Sequence, residues 1–232
     1  MSKLIIADDH PLFRSALIGA ISGAFPMRQT VETDSFDSTC AALDAHPNAD
    51  LLLLDLHMPG SYGFFGLIQL RKNWPTLPIV VISASEDVDV IRRCMAFGAS
   101  GFVPKSARPD DICGALNTVL QGDIWVPAKV RHEVLQKGED PADLDLAARV
   151  AQLTPQQYKV LYYLTEGWLN KQIAYDLEIS EATVKAHMTA IFRKLGVHNR
   201  TQVVIAAQRL TLEPPGERAL HRHGSDGPDG SE

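Results

Sequence analysis

Cysteine is scarce in this chain: Cys40, Cys94 and Cys113 stand far apart, with no CxxC pair among them. That spacing argues against a disulfide framework or a thiolate metal cluster and predicts reduced, core-filling thiols in a cytosolic protein. Long apolar runs are missing too, and no window approaches the roughly 18 residues of a transmembrane helix. The opening MSKLIIADDH has only a short apolar run before an acidic pair, which does not read as a secretory leader. No glycine-rich turn follows that run, where Asp8, Asp9 and His10 stand instead, so a dinucleotide-binding enzyme is disfavoured. The 232 residues, 45% hydrophobic and 22% charged, are those of an ordinary globular protein with no membrane partner, and suffice for one large or two small domains.

The net charge of −6 conceals an asymmetry. Residues 1–127 hold nine basic and fourteen acidic side chains, whereas residues 151–212 hold seven basic and four acidic ones. An acidic first half and a mildly basic second half imply different partners for each.

The first half is organised around Leu51–Gly60, LLLLDLHMPG. Four successive leucines suit a central strand covered by helices on both faces. The run ends on Asp55, followed by the turn residues Pro59 and Gly60. Further strands are predicted at Lys3–Ala7, Gln29–Thr33, Pro78–Ile82 and Gly101–Val103. Helical patterns lie between them, from Pro11 to near Gly23 and at Phe36–Ala45, Leu67–Asn73, Asp87–Phe97 and Pro109–Gln121. Strands alternating five times with helices predict a (βα)5 doubly wound parallel sheet.

In such a sheet ligands bind beyond the carboxyl ends of the strands. There the sequence places Asp8 and Asp9, Asp55, Ser83 and Lys105. Three carboxylates in one small pocket repel one another and call for a hard divalent cation, for which oxygen ligands in an open site favour Mg²⁺. With it, Asp55 can attack a phosphoryl group, Ser83 can hydrogen-bond its oxygen, and Lys105 can neutralise its charge. Taken singly, the acids would serve as helix caps, Ser83 as a turn residue and Lys105 as a solvated charge. Their joint placement at strand ends is what carries the functional reading.

Residues 1–123 accordingly resemble the receiver domain of a bacterial response regulator, with a CheY-like fold. The resemblance rests on Asp8–Asp9, the DLHMPG turn, Ser83–Ala84, and Phe102 just before Pro104–Lys105. It implies that Asp55 is phosphorylated by a sensor histidine kinase. It also implies that Asp9 (with Asp8 through water), Asp55 and the backbone carbonyl of His57 hold the metal, and that Ser83 and Phe102 switch on phosphorylation. His10 reads as a helix-start residue. An aspartyl-phosphate hydrolase of the haloacid-dehalogenase kind would need a second carboxylate where His57 stands.

Residues 124–150 read as a linker, partly helical near Leu144–Val150. Beyond it, Thr154-Pro155-Gln156-Gln157 is a capping-box start, Asn170 is a predicted cap for a second helix, and Ser180 caps a third that Gly196 ends. Two short helices joined at Glu178–Ile179, the second exposing Thr183, Lys185, Ala186 and Thr189, describe a helix-turn-helix. A fourth helix is predicted from Arg200 to Leu210.

LTPQQ, LNKQIAYDLEIS and TVKAHMTAIFRKLGVHNRTQVV are similar to the DNA-binding domain of LuxR-type regulators, over 151–212. The whole chain thus resembles a NarL/FixJ-type response regulator, an α/β receiver followed by a four-helix domain, and a transcription factor rather than an enzyme. Lys185 becomes the principal base-edge contact, with Ala186 or Thr189 against a thymine methyl. Lys171, Thr183, Arg193, Lys194 and Arg200 are expected at phosphates. Val203, Val204 and Ala207 are expected to form the seam of a homodimer on an inverted-repeat promoter site, with RNA polymerase as a further partner. A receiver that signals without phosphorylation is the alternative, against which the complete acid–Ser–Lys set argues. The sequence 213–232, rich in proline, glycine and charge, reads as a disordered tail.

Overall fold

The computed structural model describes residues 3–61, 63–136 and 140–208. Five strands, β1 (Lys3–Ala7), β2 (Gln29–Thr33), β3 (Leu51–Asp55), β4 (Ile79–Ser83) and β5 (Gly101–Pro104), form one parallel sheet in the order β2-β1-β3-β4-β5. Every residue of β3 and β4 is buried, as central strands covered on both faces require. The helices α1 (Pro11–Ala24), α2 (Phe36–Ala45), α3 (Phe64–Asn73), α4 (Val88–Ala96) and α5 (Pro109–Leu120) alternate with the strands. The expected doubly wound sheet is therefore present, and its registers bring Ala7 beside Leu54 and Asp55 beside Ile82. The ends of β1, β3 and β4 meet at one edge.

The segment expected as a linker is more ordered than its composition suggests. It contains α6 (Ala128–Gln136) and α7 (Pro141–Val150), the latter opened by Asp140, whose side chain accepts from the Ala142 amide. α6 packs on α4, and α7 packs on α3. Trp125 forms a parallel bridge to Gly101, its carbonyl accepting from the Phe102 amide at 3.0 Å, so this stretch also covers the open edge of β5.

Four helices follow: α8 (Pro155–Thr165), α9 (Asn170–Asp176), α10 (Glu181–Leu195) and α11 (Arg200–Gln208). The Thr154–Gln157 capping box forms as expected, Ser180 accepts from the Thr183 amide, and Gly196 ends α10 with φ 70°. Asn170 is a correction. It is the first helical residue, after Leu169, whose amide donates to Gln172 Oε1 at 2.8 Å, so a glutamine one turn inside the helix does the work expected of the asparagine. Val184, Ile191 and Leu195 are buried on α10. The end of the last helix at Leu210 and the tail lie outside the described residues.

The receiver and the C-terminal helices share one apolar cluster. α3 explains why: Phe64 to Leu70 are buried without interruption, so this helix has no solvent face over two turns. The sheet covers one side and the C-terminal half covers the other, with Phe65 meeting Tyr158 edge-on at 4.3 Å between ring centroids. No helix among the described residues is long and apolar enough to cross a membrane.

Candidate functional site

Asp55 ends β3 with its side chain only 1% exposed, so its charge needs partners. Lys105, after β5, supplies one: its Nζ lies 2.8 Å from Asp55 Oδ2 and 2.8 Å from Asp8 Oδ2. Burial pulls the Lys105 ammonium toward neutrality, but hydrogen bonds and charge from Asp55 and Asp8 outweigh it and hold the group above its ordinary pKa. The Lys105 Nζ also lies over the Phe13 ring, 4.9 Å from its centroid. The His57 amide donates to the second Asp55 oxygen at 3.2 Å, fixing the carboxylate at the turn.

Ser83 is buried at the end of β4, its carbonyl accepting from the Lys105 amide at 2.7 Å and its hydroxyl from the Ser85 amide at 3.2 Å. Phe102 is fully buried within β5. A shallow cavity of about 450 Å³ opens over the cluster, walled by His10, Phe13, Asp55, His57, Ala84 and Lys105.

Ligand atoms of Asp8, Asp9, His10 and Asp55 all lie within 4.8 Å of one another. The donor set of three carboxylates suits a hard cation, and the Lys105 ammonium now answers part of their charge. His10 is the member that sequence reasoning left at the helix start. It is the N-cap residue of α1, as expected, but its side chain makes no capping bond, and its Nδ1 instead sits 2.7 Å from Asp9 Oδ1 and 3.9 Å from Asp55 Oδ2. Its place directly after the acidic pair at a strand end was the available signal.

The second candidate surface is α10. Lys185, Ala186 and Thr189 are exposed along it, with Lys171 on α9 and Arg193 further along α10. The Thr189 hydroxyl donates to the Lys185 carbonyl, and Thr183 is engaged with Ser180 at the cap. Two of the cations expected at phosphates are bonded within the chain. Lys194 donates to the Gln152 carbonyl and to Gln157 Oε1, both at 2.7 Å, pinning α10 to the start of α8. Arg200 donates to the Trp168 carbonyl. Lys194 thus ties α10 to the start of α8, and Arg200 ties the start of α11 to the loop after α8.

The dimer-seam assignment changes as well. Val203 and Ala207 are 0% and 1% exposed, turned into the bundle where α11 packs on α8. The outward apolar position is Ile205, with Val204 half-buried beside it.

A phosphoacceptor-like carboxylate cluster on a β2-β1-β3-β4-β5 sheet, joined to a helix-turn-helix bundle, defines a response regulator with a DNA-binding output domain. The chain belongs to that family. Residues 4–117 match the response regulator receiver domain, and residues 151–207 match the bacterial regulatory proteins of the luxR family. It is 42% identical over 210 residues to the glycerol metabolism activator of Pseudomonas putida, covering 89% of this chain and 95% of that one. It is 31% identical over 204 residues to the nitrate/nitrite response regulator protein NarL of Escherichia coli K12, covering 88% and 94%. Among solved structures, the RcsB response regulator of Salmonella typhimurium superposes with a TM-score of 0.50 at 25% identity, covering 89% of this chain and 98% of that one.

Proposed function

We propose that this response regulator is switched by phosphoryl transfer to Asp55 from a sensor histidine kinase and that it then pairs on an inverted-repeat promoter site in the cytoplasm. The convergence of Lys105 and the acidic pair on the Asp55 carboxylate carries this reading. Asp55 Oδ attacks the phosphorus, the phosphorus–nitrogen bond of the phosphohistidine breaks, and the departing imidazole takes a proton from solvent. Lys105 balances charge on the transferred group, and the Ser83 hydroxyl donates to one of its oxygens.

Asp8, Asp9, Asp55 and the His57 carbonyl are the groups that would hold Mg²⁺, which when bound supplies a hard positive charge beside the phosphoryl oxygens. Domain limits of 1–123 and 151–212 follow the same reading, with 124–150 as a helical connector. On DNA, Lys185 reads base edges, Lys171 and Arg193 reach phosphates, and the outward face of α11 at Val204 and Ile205 forms the dimer seam. RNA polymerase is then the downstream partner.

The test is incubation with Mg²⁺ and acetyl phosphate, followed by intact-mass measurement. Wild type should gain one phosphoryl group and Asp55→Asn none, and the modified wild type should gain affinity for its promoter duplex. A folded wild-type protein that gains no mass would refute the reading.

A further inference from the structure

The C-terminal half is seated on the receiver by polar contacts that close over the apolar α3 face. Gln69 Nε2, buried, donates to the carbonyls of Val150 and Leu153 at 3.4 Å each. Lys72 donates to the Ala151 carbonyl at 2.5 Å. Side chains of α3 thus satisfy carbonyls at the C-terminal end of α7. At the other end of α7, Arg93 Nε of α4 lies 3.6 Å from Asp143 Oδ2, an aspartate whose side chain is 4% exposed. Asp143 stands in the first turn of α7, where the helix dipole also favours a negative charge.

Two further observations give this seat a function. The side chains expected to touch DNA (Lys185, Ala186 and Thr189) are exposed while the halves are docked. Seating therefore leaves the reading face open. The other side of α7 packs on α10, Arg149 donating to the Leu195 carbonyl, and Asp145, Leu146 and Arg149 line a groove of about 350 Å³ with Leu195 of α10 and Gln202 and Ile205 of α11. One helix is thus held to the receiver along one side and walls the proposed dimer seam along another.

We propose that Arg93–Asp143 is a latch on α7 that controls pairing of two C-terminal halves rather than access of one half to DNA. This rests on the function proposed above and adds the surface through which the receiver acts. Each receiver element involved begins beside the phosphoacceptor pocket. α3 follows the Asp55 turn, α4 follows Ser83, and the Phe102 amide is bonded to Trp125 at the start of the connector. A shift at the strand ends reaches α7 through α3 and α4 together. Opening the latch frees α7 and reshapes the groove at α11, and two linked reading helices then gain over one by effective concentration.

The experiment needs no phosphodonor, so failure of phosphoryl transfer at Asp55 cannot imitate its outcome. A duplex selected by the full chain from random sequence is prepared with both half-sites and with one. Asp143→Asn and Arg93→Gln should each raise affinity for the two-half-site duplex about tenfold and leave the single half-site within about twofold. The exchange Arg93→Asp with Asp143→Arg should return affinity toward the wild-type value. Two results overturn the proposal: unchanged two-half-site affinity in both single variants, or a parallel gain on the single half-site, which would mean that docking hides the reading face. Small-angle scattering on the same samples should report looser particles for the single variants and wild-type compactness for the exchange.

Discussion

Lys105 Nζ stands 2.8 Å from Asp55 Oδ2 and serves as the counter-charge of a carboxylate that has almost no access to water. Removing one partner of a buried pair leaves the other charge uncompensated. Lys105→Met should therefore lower folding stability by on the order of 3 kcal/mol, read as a drop in the urea midpoint. Millimolar Mg²⁺ should restore more stability to the variant than it adds to wild type, because it answers the same carboxylates. The raised pKa of Lys105 sets the pH window. Its contribution is complete below the unfolded value near 10.5 and is lost only as pH climbs through the higher folded value. On the alkaline side the gap between wild type and variant should hold from neutral pH upward and close in strong alkali. Equal midpoints near pH 7 would show that the ammonium is not needed to bury Asp55.

The turn between Asp55 and α3 carries a testable defect. Ser61 is fully buried, and its Oγ has no hydrogen-bond partner among the described residues. Burying an unpaired hydroxyl costs stability, so Ser61→Ala should gain roughly 1 kcal/mol. Gly66 is small for the same reason: a Cβ there would fall 2.3 Å from Ser61 Oγ and 3.2 Å from Ser61 Cα. Gly66→Ala should cost about 1–3 kcal/mol by itself and distinctly less in the Ser61→Ala background. Additive free energies in that double-mutant cycle would place the strain elsewhere.

Much of the receiver was readable because its strands are short apolar runs that stop at acids, a hydroxyl or a lysine, a pattern few other folds produce. The helices around the connector were less readable for a physical reason. KGEDPADLDLAARV has linker composition, yet its Pro141–Val150 part becomes α7 because Asp140 caps it and α3 bonds carbonyls at its end, and the latter is a tertiary effect. The signal was in α3 itself. Apart from Gln69, FFGLIQL is apolar around the whole helix, so a second layer had to cover it. On α11, VVIAA gave no period sharp enough to tell the packed residues, Val203 and Ala207, from the outward Ile205. Lys194 and Arg200 looked like free cations because their acceptors are backbone carbonyls and an amide, which leave no charge pattern in the sequence.

Cysteine reactivity follows from placement. Burial, with Asp37 and Asp44 adding to it, pushes the Cys40 thiol from 9.0 up to about 11. Two pH units leave about a hundredfold less thiolate at pH 8, and the thiolate is the reacting species. Cys94 is fully buried and likewise pushed up by burial. Iodoacetamide at pH 8 should thus label Cys40 about a hundredfold more slowly in the folded chain than in urea, with Cys94 slower still. Labelling of folded Cys40 at the unfolded rate, followed by intact mass and peptide mapping, would contradict this environment.

Lys185 carries the sequence-reading prediction. It is exposed on α10 at a position where Thr189, one turn on, has its hydroxyl turned back to the Lys185 carbonyl. That back-bond makes Thr189 a poorer donor to a base and leaves Lys185 as the long cation able to reach a guanine edge. Lys185→Ala should cost roughly 1–3 kcal/mol on the selected duplex and relax preference at one base position per half-site. Lys171→Ala should instead weaken binding to all duplexes alike and reduce the salt dependence, as a phosphate contact does. The two variants are to be titrated against the selected duplex and single-base changes of it at two salt concentrations. If Lys185→Ala lost affinity uniformly across those duplexes, it would be a phosphate contact, and base reading would have to be sought among Glu181, Ala182 and Ala186, the other exposed residues at the N-terminal end of α10.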